Sequence, residues 1–242
     1  MAKIEGRNPV YEALKGKRRI DNILIQKGVS GNNIDKIINE ADIQGIRIEK
    51  APKIKLDQMS VSHSHQGVIA FAAEKTLVSP EQIIKNAKKN NEDPFLIILD
   101  QIKDPHNFGA IIRTAYAAGA HGVIFQDKRA VGITPVVVKS SAGAIEHIML
   151  SEVSNINYAI DKLKENGMWI AGADVDGNQL HYNADLKGSL GLVIGSEGEG
   201  LRHLVKEKCD FLIKIPMIGK LGSLNASVAA GIIMYEAVRQ RT

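Results

Sequence analysis

The sequence predicts an α/β protein of two units, the second of which is built on a parallel sheet. Short apolar runs alternate with segments of helical periodicity along most of the 242 residues. Runs such as LIILD at 96–100 and LGLVIG at 190–195 are apolar on both faces, as is typical of parallel strands covered by helices. The apolar pattern lapses at 74–78, and we place a linker between the two units there.

The first unit, residues 1–73, has the pattern of a small α/β domain. Strands are predicted at 20–26, 46–50 and 67–73, where apolar and β-branched residues dominate. The segment NNIDKIINEADIQG predicts a helix that Gly45 stops.

The second unit, residues 79–242, opens with a helix whose first residues match a capping box, Ser79 to Gln82. Strands are predicted further on, with helical segments between them, at 96–100, 122–126, 145–150, 168–175, 190–195 and 211–217. This alternation predicts a parallel sheet with helices on its faces.

Composition narrows the class of protein. A formal charge of +4 suits a polyanionic partner but does not require one. Cys209 is the only cysteine, so an intrachain disulfide is excluded and a reducing compartment is expected. No stretch approaches the roughly 18 apolar residues that span a bilayer, and the N-terminus lacks the apolar core of a signal peptide. We therefore expect a cytoplasmic protein.

The first polar loop with candidate functional residues follows the strand at 96–100 and leads into the helix of NFGAIIRTAYA. An apolar stripe on this helix is formed by Phe108, Ile111, Ile112 and Ala115. Arg113 lies about 150° from the centre of that stripe, so it is exposed, either as a solvated residue or as a functional one. Asn107 is a helix N-cap or a member of a site.

The second loop, in LGLVIGSEGEGLRHL, is a glycine turn between a strand and a helix, and it permits close backbone approach to a ligand. Its glycines have the order G-x-x-G-x-G, and the following strand, FLIKIPM, ends without an acidic residue, so we set a dinucleotide site aside. Glu197 and Glu199 would repel a diphosphate but accept hydrogen bonds, or they are solvated turn residues.

The third loop, GKLGSLN, precedes a C-terminal helix. Ser223 and Asn225 bracket the start of this helix, as caps or as ligand contacts. A stripe predicted to face the core consists of Leu224, Val228, Ile232, Tyr235 and Val238. Both glycine-bearing loops lie near the C-terminal end of the chain, so the ligand is expected there rather than after the first strand of the unit.

Two polar segments of the first unit each allow a functional and a purely structural interpretation. The basic run of Lys15, Lys17, Arg18 and Arg19 is a phosphate-binding patch or a solvated loop. His63 and His65 are two residues apart in VSHSHQG, where a polar turn is favoured over a metal site. No metal is expected.

Taken together, the three loops resemble the three motifs of the SpoU, or TrmH-like, RNA methyltransferases of the SPOUT superfamily. The matching segments are NFGAIIR at 107–113, IGSEGEG around Glu197, and IPMIGKLGSLNASVAAGI near the C-terminus. GRNPVYEAL and HQGVIAFA in the first unit resemble the L30e-like substrate-binding domain of bacterial 23S rRNA (guanosine-2′-O)-methyltransferases. The resemblance covers nearly the whole chain.

The resemblance implies a C-terminal SPOUT domain whose parallel sheet carries a deep trefoil knot, and an L30e-like domain that binds RNA. It also implies S-adenosylmethionine as methyl donor and a homodimer with each active site near the interface. By this resemblance, backbone contacts to the cofactor come from Gly195, Ile215 and Leu224. The implied catalytic cluster consists of Asn107, Arg113, Glu197, Ser223 and Asn225.

The activity expected from the resemblance is methyl transfer to a ribose 2′-hydroxyl of RNA, with a guanosine of 23S rRNA as the target. A 2′-O-methyltransferase of tRNA, or one that confers antibiotic resistance by modifying rRNA, shares the same motifs. A protein of another class, a non-catalytic RNA-binding factor of ribosome assembly, would retain the fold without transfer. A dinucleotide-dependent oxidoreductase is a more distant alternative, distinguished by its binding of NAD.

Overall fold

The computed structural model describes residues 2–16, 18–62, 64–128, 130–196, 198–220 and 222–242. By its internal contacts the chain divides into two compact units. Unit 1 comprises Met1–Thr76 and Ile133–His147, and unit 2 comprises Leu77–Gly132 and Ile148–Thr242. The domain boundaries inferred from the sequence, 1–73, 74–78 and 79–242, remain a proposal.

The helices and strands alternate along the described chain. In order they are β1 (Ala2–Glu5), α1 (Arg7–Lys15), β2 (Ile20–Gln26), α2 (Asn32–Ile43), β3 (Arg47–Ala51), α3 (Lys53–Met59), β4 (Val68–Ala72), α4 (Pro80–Lys89), β5 (Phe95–Asp100), α5 (Pro105–Ala117), β6 (Gly122–Gln126), α6 (Pro135–Ser140), a 3-10 helix (Ala144–Glu146), β7 (Met149–Val153), α7 (Ile156–Glu165), β8 (Trp169–Ala173), β9 (Gln179–Leu180), β10 (Leu190–Gly195), α8 (His203–Lys208), β11 (Phe211–Lys214) and α9 (Ala226–Arg241).

Unit 1 contains a mixed sheet, which over the described residues has the strand order β1-β4-β2-β3. The strand β2 pairs parallel with β3 and antiparallel with β4. The predicted strand at 20–26 and the helix that begins at Asn32 are confirmed. The sequence analysis missed β1, α1 and α3, which are only four, nine and seven residues long.

A buried ion pair joins distant parts of unit 1. The guanidinium of Arg18 donates to Glu146 Oε1 at 2.7 Å, and its Nε donates to the carbonyl of Ala73. Lys75 donates to the carbonyl of Glu146 at 2.9 Å. Only 6% of the Arg18 side chain is exposed, so Arg18 is a structural residue rather than part of a basic patch. Arg19, by contrast, is exposed beside Asp21.

The segment containing HQG is held by buried polar groups of unit 1. His65 is buried, its Nε2 lies 2.8 Å from Asp57, and its Nδ1 accepts the N–H of Gly67. Because Nδ1 accepts, the proton of the neutral ring is on Nε2 and points at the carboxylate. His63 lies outside the described residues, and no group of three metal-ligating side chains occurs among those that are described.

Glu5 anchors the chain that precedes this segment. Its carboxylate is fully buried and accepts from the hydroxyls of Ser60 and Ser62 and the N–H groups of Val61 and Ser62. Burial raises the pKa of Glu5, but the hydrogen bonds from these donors together outweigh it and lower the pKa below its ordinary value. The ionised carboxylate therefore stabilises unit 1 at neutral pH.

We expect Glu5→Gln to destabilise the protein by about 1–3 kcal/mol at pH 7, because an amide leaves part of the donor set unmatched. A lowered pKa stabilises the fold above the unfolded-state value, and this stabilisation is lost as pH falls through the folded-state value. Urea unfolding between pH 7 and 3 should show the deficit of the variant shrinking on the acid side. The exposed Glu74→Gln is the control. An equal deficit at all pH values would contradict the prediction.

Unit 2 is built on a wholly parallel sheet. Among the described residues its strand order is β7-β6-β5-β10-β8-β11-β9, and each recorded pairing is parallel. Every residue of β5, β6 and β10 is buried, as the two-faced apolar runs predict. The predicted α/β class and the parallel sheet are thus confirmed. The knot that the resemblance implies remains a prediction.

The helices of unit 2 begin largely where the sequence predicts. Ser79 caps α4 in a capping box with Gln82, as expected. The stripe on α5 is buried and Arg113 is exposed, also as expected. The alternative that Asn107 caps α5 is wrong, because Asp104 accepts the N–H of His106 and Asn107 lies buried within the first turn.

The strand predicted at 145–150 is wrong in its first half. Gly143, with φ +94°, leads into the 3-10 helix Ala144–Glu146, and the strand begins only at Met149. The apolar residues around Glu146 belong to two different elements that happen to be adjacent. Sequence alternation cannot separate a buried 3-10 turn from a strand of this length.

The predicted core stripe of α9 is also wrong. The buried residues of α9 are Ala226, Ala230, Ile233, Met234 and Ala237. Val228, Ile232 and Tyr235 are instead 50%, 38% and 52% exposed. Apolar residues lie all around this helix, so periodicity alone does not identify the inner face, and the small alanines allow α9 to approach its neighbours closely.

No helix in the described part of the chain is long and apolar enough to cross a membrane. Cys209 carries a free thiol. Burial raises its pKa to about 12, with the nearby carboxylate of Asp210 acting in the same direction. The thiol therefore remains protonated at neutral pH and is a poor nucleophile.

Candidate active site

A cavity of about 480 Å³ lies at the carboxyl edge of the parallel sheet of unit 2. The ends of β8, β10 and β11 open into it, and the start of α9 closes one side. In open parallel sheets, ligands bind beyond the carboxyl ends of the strands. The position of the cavity therefore marks it as the candidate active site.

The glycine turn after β10 forms one wall. Ser196 and Gly200 exchange backbone hydrogen bonds of 3.1 Å, which folds the turn back on itself. A Cβ atom on Gly195 would lie 2.2 Å from the carbonyl carbon of Gly200, so this position has no space for a side chain. Gly200 has φ +66°, which a side chain would strain. The predicted contact residue Gly195 lines the cavity.

A buried ion pair holds this turn against β5. Asp100 is fully buried at the end of β5, and it accepts the backbone N–H of Arg202 at 2.9 Å. The guanidinium of Arg202 donates to the other carboxylate oxygen of Asp100, from Nε at 2.7 Å and from its terminal nitrogen at 2.6 Å. It also reaches Gln126 at the end of β6. The ends of two strands thereby fix where the turn leaves the sheet.

The loop before α9 supplies the opposite wall. The predicted residues Ile215, Ser223 and Leu224 all line the cavity, together with Met217 and Gly222. Ile215 immediately follows β11, which ends at Lys214 and not at Met217 as the sequence analysis predicted. The shorter strand leaves residues 215–217 in the loop, so the N–H groups of Ile215 and Met217 and the carbonyl groups of the segment lie outside the strand pairings of β11.

Asn225 connects two helices at the edge of the site. Its Oδ1 caps α9 by accepting the N–H groups of Ser227 and Val228, and its Nδ2 donates to Asn107 Oδ1 at 3.0 Å. Because the carbonyl oxygen must face the helix N–H groups, the orientation of the amide is fixed. Asn107 and Asn225, predicted as members of one cluster, are thus in direct contact.

Arg113 is separate from this pair. It lies six residues after Asn107 on α5, about 120° around the helix and roughly 9 Å along it. Its side chain is exposed, and it is not among the residues that line the cavity. Glu197, the remaining predicted member of the catalytic cluster, lies outside the described residues.

The sequence analysis missed Asp174 and Lys206, which line the cavity. Their side chains form an ion pair, with Lys206 Nζ 2.8 Å from Asp174 Oδ2. Asp174 was overlooked because the strand was predicted to run to Val175, whereas β8 ends at Ala173. If the strand had been predicted to end at Ala173, Asp174 would have stood directly after it as an acidic residue at a strand end. This is the sequence signal that could have identified it.

These observations define a class: an α/β protein with a ligand cavity formed by the last loops of a parallel sheet. The sequence model described as the SpoU rRNA Methylase family matches residues 94–235. A second model, described as RNA 2′-O ribose methyltransferase substrate binding, matches residues 3–78. The chain belongs to the SpoU rRNA methylase family of RNA methyltransferases. The resemblance inferred from the three motifs is confirmed.

Relatives and solved structures agree over almost the whole chain. YacO of Bacillus subtilis (strain 168), assigned to the TrmH family of tRNA/rRNA methyltransferases, is 47% identical over 236 residues, 98% of this chain and 94% of its own. A protein of Staphylococcus aureus (strain MSSA476) assigned to the same family is 44% identical over 98% of this chain and 96% of its own. The SpoU methyltransferase AviRb from Streptomyces viridochromogenes, solved in complex with AdoMet, is 25% identical with a TM-score of 0.82, covering 98% and 89% of the two chains.

Proposed function

We propose that this protein transfers a methyl group from S-adenosylmethionine to a ribose 2′-hydroxyl of RNA, with a guanosine of 23S rRNA as its target. The observation that carries the proposal is the cavity of unit 2. It gathers Gly195, Ile215, Ser223 and Leu224 from segments that are far apart in the sequence. A structural relative, AviRb, has been solved with AdoMet. A cytoplasmic location and the absence of a metal requirement belong to the same proposal.

The cavity suits this methyl donor in size and chemistry. Its volume of about 480 Å³ falls within the range of about 300–1,000 Å³ typical of small-molecule sites. Its wall combines glycine backbone and apolar side chains with a few polar groups, a mixture that fits an adenosine joined to an amino-acid tail. Bound there, S-adenosylmethionine would supply an electrophilic sulfonium methyl group, and Gly195, Ile215 and Leu224 would hold it through their backbones.

The protein side chains then have to orient and activate the RNA hydroxyl. A hydroxyl is a weak nucleophile unless its proton is being removed. An arginine guanidinium keeps its proton in proteins and is therefore a poor base, so Arg113 acts chiefly by positioning the ribose or an adjacent phosphate and by stabilising the developing negative charge on the 2′-oxygen. Ser223 orients the hydroxyl, and Glu197 fixes the glycine turn.

Asn107 and Asn225 act as positioning residues in this proposal. Because the Asn225 amide is already committed to α9 and to Asn107, it sets where the third loop ends and α9 begins relative to α5. Positioning of this kind is a large part of catalysis, since well-oriented partners have high effective molarities.

Unit 1 is proposed to bind the RNA. An open depression of about 720 Å³ on this unit is lined by the cationic residues Arg7 and Lys53, with His65 and Gln66 next to them. One carboxylate, Asp57, also lines it and is paired with His65. Arg7 is held in place because its Nε donates to the carbonyl of Gln66 at 3.1 Å. Cations fixed at a polar surface suit phosphate contacts. The buried Arg18 does not contribute to them.

The experiment is transfer of labelled methyl from S-adenosylmethionine to protein-free 23S rRNA and to bulk tRNA, followed by nucleoside analysis. We expect 2′-O-methylguanosine in 23S rRNA. Label in tRNA alone would favour a tRNA methyltransferase, a class that the TrmH family of the relatives includes. Cofactor binding without transfer to either RNA would favour a non-catalytic assembly factor.

We further propose that the protein is a homodimer that pairs through α9. Leu224, Val228, Ile232 and Tyr235 recur at helical spacing, and each is at least 37% exposed in the single chain. A contiguous exposed apolar face of this kind marks an interaction surface. A second copy that covered it would lie beside the Asn107–Asn225 pair and the start of α9.

Replacing Val228 and Tyr235 together by glutamate is expected to convert the dimer into a monomer, because four like charges would then be buried at the interface. Sedimentation or light scattering at micromolar concentration measures the mass. Ile43→Glu, which changes an apolar residue 80% exposed on unit 1, is the matched control and should leave the dimer intact. A wild-type protein that is monomeric at this concentration would contradict the proposal.

A further inference from the structure

Asp174 is a buried carboxylate in the wall of the active-site cavity. It follows β8 directly, and only 2% of its side chain is exposed. Asp176 and Glu199, the other carboxylates of the cavity wall among the described residues, are exposed to solvent. Burying a carboxylate is costly unless hydrogen-bond donors surround it. The position of Asp174 therefore needs an explanation.

Asp174 has neighbours from three segments of unit 2, and two of them supply hydrogen-bond donors. Lys206 Nζ on α8 lies 2.8 Å from Oδ2, and the backbone N–H of Asp176 donates to Oδ1 at 3.0 Å. A Cβ atom on Gly200 would lie 3.4 Å from Oδ2, so the carboxylate borders the glycine turn. An ionised carboxylate has about four acceptor positions. Among the described residues two donors reach Asp174, which leaves acceptor capacity for a ligand in the cavity.

The place of Asp174 in the sheet points to the kind of ligand group. The strand β8 is the neighbour of β10, which carries the glycine turn. In Rossmann-type parallel sheets that bind dinucleotides, an acidic residue near the glycine turn accepts a hydrogen bond from the ribose 2′-hydroxyl. The sequence analysis looked for such an acid after β11 and found none, whereas the structure has one after β8.

The charge around Asp174 distinguishes between the polar groups of a methyl donor. Lys206 already compensates the carboxylate, so a second cation, such as an α-ammonium group, would be repelled by Lys206 at close range. Neutral hydroxyl groups can donate to the remaining acceptor positions without this repulsion. The ribose 2′- and 3′-hydroxyls therefore match the site better than the amino-acid tail does.

We propose that Asp174 binds the ribose 2′,3′-diol of S-adenosylmethionine, and that Lys206 orients its carboxylate for this contact. The inference rests on the proposed use of S-adenosylmethionine as methyl donor. It adds a cofactor-binding residue outside the three motifs, supplied by β8. Asp174 touches the donor far from the transferred methyl, so its removal should affect donor affinity more than the rate of transfer once the donor is bound.

The test is isothermal titration of the full-length protein with S-adenosylhomocysteine, with 5′-methylthioadenosine, and with the 2′,3′-dideoxy analogue of S-adenosylhomocysteine. We expect Asp174→Ala to weaken the first two ligands by about 10–100-fold, in line with the loss of hydrogen bonds to a charged group. The dideoxy analogue should bind the wild type and the variant equally. The affinity of Asp174→Asn for the first two ligands should lie between those of the wild type and Asp174→Ala. Because asparagine preserves the shape of the side chain, this variant keeps the test valid if Asp174→Ala does not fold.

Asp161→Ala is the matched control, because it removes an aspartate–lysine pair of the same unit, Asp161 with Lys208, outside the cavity. Equal weakening of all three ligands would show a purely structural role and overturn the inference, as would unchanged affinities. Weakening of S-adenosylhomocysteine but not of 5′-methylthioadenosine would assign Asp174 to the amino-acid tail and overturn it too. A wild type that binds none of these ligands would instead refute the proposed function on which the inference rests.

Discussion

Replacing Arg113 by alanine is expected to lower the rate of methyl transfer by at least about 100-fold while leaving the fold and the affinity for the methyl donor unchanged. Loss of a single group that stabilises developing negative charge typically costs about this much. The side chain is exposed on α5 and does not line the cavity, so its removal leaves no hole in the core. Substitutions at such positions usually change stability by less than about 0.5 kcal/mol.

Single-turnover transfer to RNA with saturating donor isolates the step on which Arg113 is proposed to act. Arg113→Lys retains the charge but loses the planar fork, and it should recover only part of the rate. Lys85→Ala, which removes an exposed cation from α4, is the matched control for a general loss of attraction to RNA. If Arg113→Ala transferred methyl at nearly the wild-type rate, the proposed role of this residue would be refuted.

Local sequence predicted those helices and strands whose position is set by a single local feature, such as burial on both faces or a capping box. The strands β5, β6 and β10 are buried on both faces, so their apolar runs are unbroken, and two of the three were predicted to the residue. The capping box at Ser79 is a local signal and was predicted correctly. The buried stripe of α5 was also predicted, because its opposite face carries polar residues such as Arg113.

Contacts between residues far apart in the sequence could not be predicted from it. Arg18 was interpreted as part of a basic run with its neighbours, but its buried partner, Glu146, is 128 residues away. The Asn107–Asn225 contact joins residues 118 positions apart. The error on α9 has another cause: most of its faces are apolar, so burial depends on which neighbours pack against it, and sequence periodicity does not encode this.

Within the candidate site, the motifs identified residues whose type is constrained by backbone geometry or by polar function. Gly195, Ile215, Ser223 and Leu224 do line one cavity. Asp174 was not found because its neighbours are ordinary strand residues and the predicted strand ran past it. An error of two residues at the end of a strand hardly changes the predicted fold. It was nevertheless enough to hide a residue of the site.

Replacing Arg202 by alanine should give the largest loss of stability among the substitutions considered for unit 2. Asp100 would then be a fully buried carboxylate with only the backbone N–H of residue 202 as a donor among the contacts described. Breaking a buried ion pair from one side typically costs about 3–5 kcal/mol. Because 32% of the Arg202 side chain is exposed, water can partly replace it, and we expect the lower end of that range.

The same substitution should weaken binding of the methyl donor, because the glycine turn loses the contact that fixes it to β5 and β6. Urea unfolding and titration with S-adenosylhomocysteine measure the two effects on one preparation. Glu165→Ala, which breaks the exposed Lys162–Glu165 pair, is the control and should leave the stability nearly unchanged. Asp100→Asn should be less damaging than Arg202→Ala, since it removes the buried charge while keeping an acceptor for the Arg202 N–H. If the two variants were equally destabilised, the cost would come from lost packing or hydrogen bonding rather than from an uncompensated charge, and the electrostatic role assigned to this pair would be wrong.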